Sequence, residues 1–169
     1  MTLRLRPYLL SDEAAALGAH DALLAEDFEF LLGWHPTMTW SEFLLALENQ
    51  RRGLDLAEDQ VPAVQLVAVV NGELVGRVSI RFALNEFLAQ RGGHIGYGVV
   101  PAHRRKGYAS EILRQALIVI RAEGVDRVLV TCDEDNGASS RAIERAGGVL
   151  ESIVPGEEGG PGFRRYWIE

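Results

Sequence analysis

The chain has 169 residues, with 24 acidic and 17 basic side chains and a formal net charge of −7. That length suits one domain whose core needs no staples, and a sequence pI near 5.2 excludes a general nucleic-acid binder, which needs a basic face. The single cysteine, Cys132, excludes an internal disulfide and a cysteine-based zinc site.

Residues 3–8 (LRLRPY) alternate apolar and basic side chains and predict a first strand. Ser11-Asp12 reads as a helix N-cap ahead of AALGAHDALLAEDF, and Thr39-Trp40-Ser41-Glu42 opens a second helix through Arg51. Residues 52–62 read as a loop. AVQLVAVV, Asn71-Gly72 and ELVGRVSIRF predict a hairpin, because Asn-Gly suits a type I′ turn. Residues 84–93 lead into a strand at 94–100 (HIGYGVV), ended by Pro101. A helix follows at 108–123, with Ile112, Leu113, Ala116, Leu117 and Ile120 on one face and Gly124 just beyond its end. RVLVTC (127–132) is an apolar buried strand. ASSRAIERAGG is a short helix stopped by Gly147-Gly148, and VLESIV and FRRYWI are the last strands. Strand 94–100, helix 108–123 and strand 127–132 form a βαβ unit, so the two strands are predicted to run parallel. No repeat or linker divides the chain. A mixed α/β fold in one domain, 1–169, is expected. No apolar leader and no run near about 18 apolar residues occurs, which with the lone cysteine predicts a cytoplasmic protein that avoids membranes.

The stretch RRKGYA, residues 104–109, sits where strand turns into helix. A helix start offers backbone N–H groups without intrahelical partners and a partial positive charge. Gly107 lets the backbone approach a ligand, Ala109 keeps the first turn small, and Arg104, Arg105 and Lys106 add charge. Together they suit a pyrophosphate; the alternative is a solvated basic turn. No Walker loop and no GxGxxG fingerprint is present.

Arg104, Gly107 and Ala109 reproduce the R/Q-x-x-G-x-G/A turn of the GNAT superfamily of acetyl-CoA-dependent N-acyltransferases, and the chain resembles that family from residue 3 to 169. The match is reinforced by Asn136 followed by SSRAIERAGG, which is similar to the family's N…A…YEKxGF segment. LNE…GGHIGY also resembles an uncharacterised subgroup of acetyltransferases. The resemblance implies a mostly antiparallel, twisted sheet of about seven strands flanked by about four helices. Its parallel pair, 94–100 and 127–132, splays into a cleft for coenzyme A. There the pantetheine arm pairs with the main chain near Gly98 and Val100, and an N–H near Val99 or Val100 stabilises the oxyanion. The pyrophosphate rests on Arg104, Arg105, Lys106, Gly107, Tyr108, Ala109 and Ser110, while Asn136 and Ser139 belong to the same cofactor-binding set. Asn136 alternatively serves as a turn or cap.

The implied reaction is acetyl transfer from acetyl-CoA to a primary amine of a small molecule or peptide, without a metal and with a homodimer among the expected states. His94 is the first candidate base, because it starts the thioester strand and imidazole titrates near neutrality; the alternative is a hydrogen-bonded structural histidine. Asp133, Glu134 and Asp135 are candidates to attract the ammonium or relay its proton, or form a solvated loop; Glu134 is placed with the catalytic set. Ile143 stands where many members carry a tyrosine that protonates the thiolate, which leaves Tyr108, Tyr97 or water for that task. Tyr97 is expected on the face opposite His94. His20, His35 and His103 lack metal-ligand spacing. Arg81, Asn85 and Glu86, and separately Phe30, Trp34 and His35, are candidates to border the acceptor, with loop and core as their other readings. The alternative to an enzyme is a CoA-binding or phosphate-ligand regulatory module that has lost the chemistry.

Overall fold

Two antiparallel sheets carry the chain, and the gap between them is the feature that matters for function. The computed structural model describes residues 2–169, with the backbone only at Glu158. The first sheet is ordered β1 (Arg4–Arg6), β2 (Ala63–Val70), β3 (Glu73–Arg81) and β4 (Ile95–Val99). The second is ordered β5 (Val128–Asp133), β7 (Phe163–Ile168) and β6 (Val149–Val154). Four α-helices accompany them among the described residues: α1 (Glu13–Leu24), α2 (Trp40–Arg52), α3 (Tyr108–Ala122) and α4 (Gly137–Arg145). This is the mixed, mostly antiparallel seven-strand architecture that the sequence implies.

Local chemistry explains most boundaries. Asn71 and Gly72 have φ of 51° and 82°, the left-handed pair of a type I′ turn, so the hairpin twists with its strands. Thr39 accepts the Glu42 N–H at 3.2 Å while the Glu42 carboxylate accepts the Thr39 N–H at 2.7 Å, a reciprocal cap that starts α2. Gly53 and Gly124 take the left-handed conformation beyond α2 and α3. Of Ser11-Asp12, Asp12 stands at the N-cap of α1, but its side chain makes no capping bond to that helix. These residues lie in a 3-10 turn, and the Asp12 carboxylate accepts instead from the Leu9 N–H at 2.7 Å and the Arg6 guanidinium at 2.6 Å. The Arg6 hydrogen bonds hold the Asp12 carboxyl below its ordinary value. Residues 84–93 are also more ordered than a plain connection, because Leu88–Gly92 winds into a π-helical turn.

The apolar faces fill two cores on opposite sides of the first sheet. Ile112, Leu113, Ala116, Leu117 and Ile120 of α3 pack with Val78, Ile80, Ile95, Val128, Val130 and Tyr166, so α3 bridges both sheets. Across β2 and β3, Ala16, Leu23, Phe30, Leu31, Trp40 and Phe43 form the second core under α1 and α2.

The two sheets meet where β4 and β5 begin. The His94 N–H donates to the Leu129 carbonyl at 2.7 Å, and the Leu129 N–H donates to His94 Nδ1 at 2.9 Å. Gly93 permits this approach: its φ is +65°, and a Cβ there would lie 2.7 Å from the Leu129 oxygen. Beyond this joint the strands form no ladder, and they separate towards their C-terminal ends. Replacement of Gly93 by alanine is expected to cost about 2 kcal/mol or more, combining left-handed strain with the clash. Gly124→Ala, at φ +85° with open space around it, is expected to cost about 1 kcal/mol, from strain alone. Urea melts of the two variants check the difference.

Candidate active site

The separation of β4 from β5 opens two adjoining clefts. The first, about 640 Å³, is bordered by Tyr97, Gly98 and Val99 of β4, by Arg104, Arg105 and Gly107, by Tyr108, Ala109 and Ser110 of α3, and by one face of α4. The second, about 360 Å³, lies on the other side, among Arg77, Arg81, Phe87, Arg91, Thr131, Cys132 and Phe163. Phe28, Tyr97, Asp133, Asn136 and Ser139 border both, so the two clefts communicate through them.

Strand alternation determines which backbone groups face the gap. Arg77 is opposite Gly98 in the register, and the Val100 N–H donates to the Val75 carbonyl at 2.9 Å. The peptide groups of Gly98 and Val100 therefore point to β3, and those of Tyr97 and Val99 point to the open edge. The Val99 carbonyl accepts from Arg104 Nε at 3.2 Å, as this polarity requires. Gly98 and Val100, expected as main-chain partners, thus turn their peptide groups to β3, whereas those of Tyr97 and Val99 are left at the open edge. Gly98 serves differently: a Cβ there would lie 2.5 Å from the Phe28 ring, so glycine lets Phe28 lie across the strand.

The start of α3 offers bare donors. Gly107, at φ 81°, is its N-cap, and no side chain caps the helix. The Glu111 N–H reaches back to the Gly107 carbonyl, whereas the N–H groups of Tyr108, Ala109 and Ser110 have no acceptor among the described residues. Arg105 is also left-handed, at φ 63°. A non-glycine residue in that region carries strain, and such strain concentrates at ligand sites. Two left-handed residues within three positions curve successive amides towards one point, the concavity that receives anions. Arg104 grips Glu26 through two hydrogen bonds, at 2.6 and 3.2 Å, which hold the Glu26 carboxyl below its ordinary value. This exposed pair spans the mouth of the first cleft.

The other predicted residues divide. Arg104, Arg105, Gly107, Tyr108, Ala109, Ser110, Asn136 and Ser139 all border the first cleft, and Lys106 borders neither. Asn136 caps α4 by accepting the Ser139 N–H at 3.1 Å, and the Ser139 hydroxyl meets the Tyr97 hydroxyl at 2.8 Å. Tyr108 is half-buried and packs partly on the main core. Glu134 stands apart: it borders neither cleft, and its backbone is tied to Gly162 and Arg164. His94 stands apart as well. It is buried, its Nδ1 is occupied by Leu129, and it borders neither cleft, so it acts as the joint between the sheets. Ile143 is fully buried in the core. Phe30 and Trp34 belong to the second core, and Asn85 and Glu86 stand outside the second cleft, which Arg81 does border.

Sequence reasoning missed Phe28, Arg77 and the α4 face of Ala138, Arg141, Ala142 and Arg145. The last carried a usable signal, since those positions recur at i, i+3, i+4 and i+7. It also undervalued Tyr97, which borders both clefts and whose hydroxyl burial pushes up to about 12.

The chain belongs to the acetyltransferase (GNAT) domain family, whose pattern it matches over residues 2–149. Among curated proteins it is similar to the uncharacterized N-acetyltransferase YoaA of Bacillus subtilis, 29% identical over 83 residues; the match takes in 48% of this chain and 45% of that relative, so the chain spans about half of the relative's length. Among solved structures, it resembles Mycobacterium smegmatis RimJ in complex with a CoA-disulfide, with a TM-score of 0.72, 18% identity, and 98% of this chain and 81% of that one covered. It also resembles YncA of Salmonella typhimurium with its cofactor acetyl-CoA, with a TM-score of 0.66, 18% identity, and 100% and 94% covered. At those identities the two structures speak for the fold. No helix among the described residues is long and apolar enough to cross a membrane, and no cluster of potential metal ligands occurs among them.

Burial, and secondarily the Arg81 charge, lowers His94 below its ordinary value of 6.5. The unfolded chain therefore takes up this proton first on acidification. The stability contributed by neutral His94 is complete above about pH 6.5 and is lost as pH falls from there towards the lower folded value. The slope from this one group reaches at most about 1.4 kcal/mol per pH unit. In chemical denaturation between pH 7 and 5, His94→Gln is expected to remove that component and flatten the profile.

Proposed function

We propose that the chain is an acetyl-CoA-dependent N-acetyltransferase that passes the acetyl group to a primary amine by direct attack on the thioester. The observation that carries this reading is the convergence of an open strand edge, bare α3 amides and two communicating clefts on Tyr97, Asp133, Asn136 and Ser139. The residues present fit coenzyme A. The amides of Tyr108, Ala109 and Ser110, with Arg104 and Arg105 beside them, suit its pyrophosphate. The outward peptide groups of Tyr97 and Val99 suit the amides of a pantetheine arm, as an added strand would.

The chemistry then follows from position. The Val99 N–H, on the open edge, is available to the thioester carbonyl and to the negative charge that develops on its oxygen. The amine nitrogen attacks that carbon with its lone pair, the carbon–sulfur bond breaks, and the sulfur leaves as a thiolate. Before attack, Asp133, on both clefts, attracts the incoming ammonium and passes one of its protons to solvent; the nitrogen releases a second proton to solvent as the tetrahedral intermediate collapses to the amide. The Tyr97 hydroxyl, still protonated at neutral pH, supplies a proton to the thiolate and is restored from solvent through Ser139. Tyr97 so takes the task for which Ile143 is unsuited.

The test is thiol release from acetyl-CoA across an amine panel, beside calorimetric titration with CoA. Amine-dependent release is expected; tight CoA binding with no release above hydrolysis would instead establish a binding module. Ala109→Glu places a carboxylate in the first turn of α3, which favours the helix by about 0.3–1 kcal/mol but repels a pyrophosphate. It is expected to preserve or raise Tm while weakening CoA binding at least tenfold. Tyr97→Phe is expected to lower kcat by about ten- to a hundredfold, the modest end for a general acid because the thiolate leaves readily, with Kd for CoA unchanged.

A further inference from the structure

The second cleft is positively charged in a chain whose net charge is −7. Arg77, Arg81 and Arg91 border it, and among the described residues Asp133 is the only carboxylate that does. None of the three arginines forms an ion pair among the described residues. Arg77 is buried and donates only to backbone carbonyls: Phe30 at 3.1 Å, Gly96 at 3.0 Å and Glu29 at 2.7 Å. It lies over the Phe28 ring, 4.6 Å from its centroid. Its fastening explains it as a strut that also leaves fixed positive charge beneath the cleft.

Arg81 and Arg91 have no such full account. Arg81 uses Nη1 alone, on the carbonyls of Gly92 at 3.0 Å and Gly93 at 3.3 Å. Its Nε and Nη2 donate to no group among the described residues. Gly96 leaves room beside it, since a Cβ there would stand 3.4 Å from Nη1. Arg91 rests on the Phe163 ring at 5.2 Å, and its guanidinium makes no hydrogen bond among the described residues. Burial draws Arg77 down to about 10, and the Arg81 charge pushes it the same way. Arginines drawn together without an acid repel one another and lose hydration, and an anion between them relieves both costs. Arginine also matches the fork of a carboxylate or phosphonate better than any other side chain.

Resting on the acetyltransferase reading, we infer that the acceptor is a small amine bearing an oxyanionic group, of the amino-acid kind, with its anion held by Arg81 and Arg91 and its amine directed to the junction at Asp133 and Tyr97. A cleft of about 360 Å³ is at the small end for ligand sites, which fits a free amino acid or aminophosphonate. Phe87, Ile95 and Phe163 give it apolar walls. A peptide N-terminus without a nearby anion leaves both arginines unanswered.

The experiment measures kcat/KM for the L-amino acids and 2-aminoethylphosphonate against the corresponding amino-acid amides, with Arg81→Gln and Arg91→Gln alongside. At least one anionic amine is expected to exceed its neutral counterpart tenfold or more; which one prefers carboxylate or phosphonate separates the two sources. Each variant is expected to raise KM for that amine at least tenfold with Kd for CoA within threefold. Arg91 is exposed and holds no backbone carbonyl, so its variant keeps the test sound if Arg81→Gln folds poorly. A preference for amides or peptide N-termini, or unchanged KM in Arg91→Gln, overturns the inference while leaving the acetyltransferase reading intact. If no amine is turned over, thermal shift of the CoA-loaded protein decides. A shift from an anionic amine, lost in Arg91→Gln, supports the anion site and rejects the enzyme reading; no shift overturns the anion site as well.

Discussion

The site depends on a sheet that is joined at one point and left open beyond it. His94 and Leu129 exchange two hydrogen bonds at the start of β4 and β5, and no ladder continues from them. A continuous pairing would satisfy the peptide groups of Tyr97 and Val99 and leave no room for a ligand. A missing joint would let the halves drift. The closeness of Gly93 to the Leu129 oxygen, the buried imidazole and the span of α3 across both sheets all fix the angle at which the strands part. Unpaired strand edges are a liability in a folded protein, and this one persists where it faces the bare amides of α3.

Charge follows the same geometry. The first cleft gathers the α3 amides with Arg104, Arg105, Arg141 and Arg145, against Glu26, Asp27 and Asp133. Glu26 on Arg104 is an exposed contact, which a diphosphate can replace at little cost. The second cleft concentrates cations differently, through arginines fastened to carbonyls or resting on an aromatic ring. In each, cations remain available to an incoming anion although acidic residues outnumber basic ones in the chain. Between them, the Tyr97–Ser139–Asn136 hydrogen-bond chain is fixed by the N-cap of α4.

What was legible in the sequence was local. Asn71-Gly72, the Thr39–Glu42 cap, the α3 stripe and the turn at Arg104–Ala109 specify backbone conformation within a few residues, and each forms as read. Ser11-Asp12 misled because Arg6 and the Leu9 N–H compete for the same carboxylate, a contact set by where β1 lies. His94 drew attention for its chemistry, yet its partner is 35 residues away in the sequence. Alternation placed Tyr97 opposite His94, and in the structure Tyr97 borders both clefts whereas His94 borders neither. Neither the proximity of Phe28 to Gly98 nor the grouping of Arg81 with Arg91 follows from spacing, since the π-helical turn at Leu88–Gly92 and the loop after α1 bring them together.

The central claim is that specific main-chain donors receive coenzyme A. Backbone amide NMR during titration with CoA tests it most directly. The account predicts saturable shifts at Val99, Tyr108, Ala109 and Ser110, with Val100, already bonded to Val75, changing least among residues 97–100. Shifts confined to other parts of the chain, or none at saturating CoA, would contradict it.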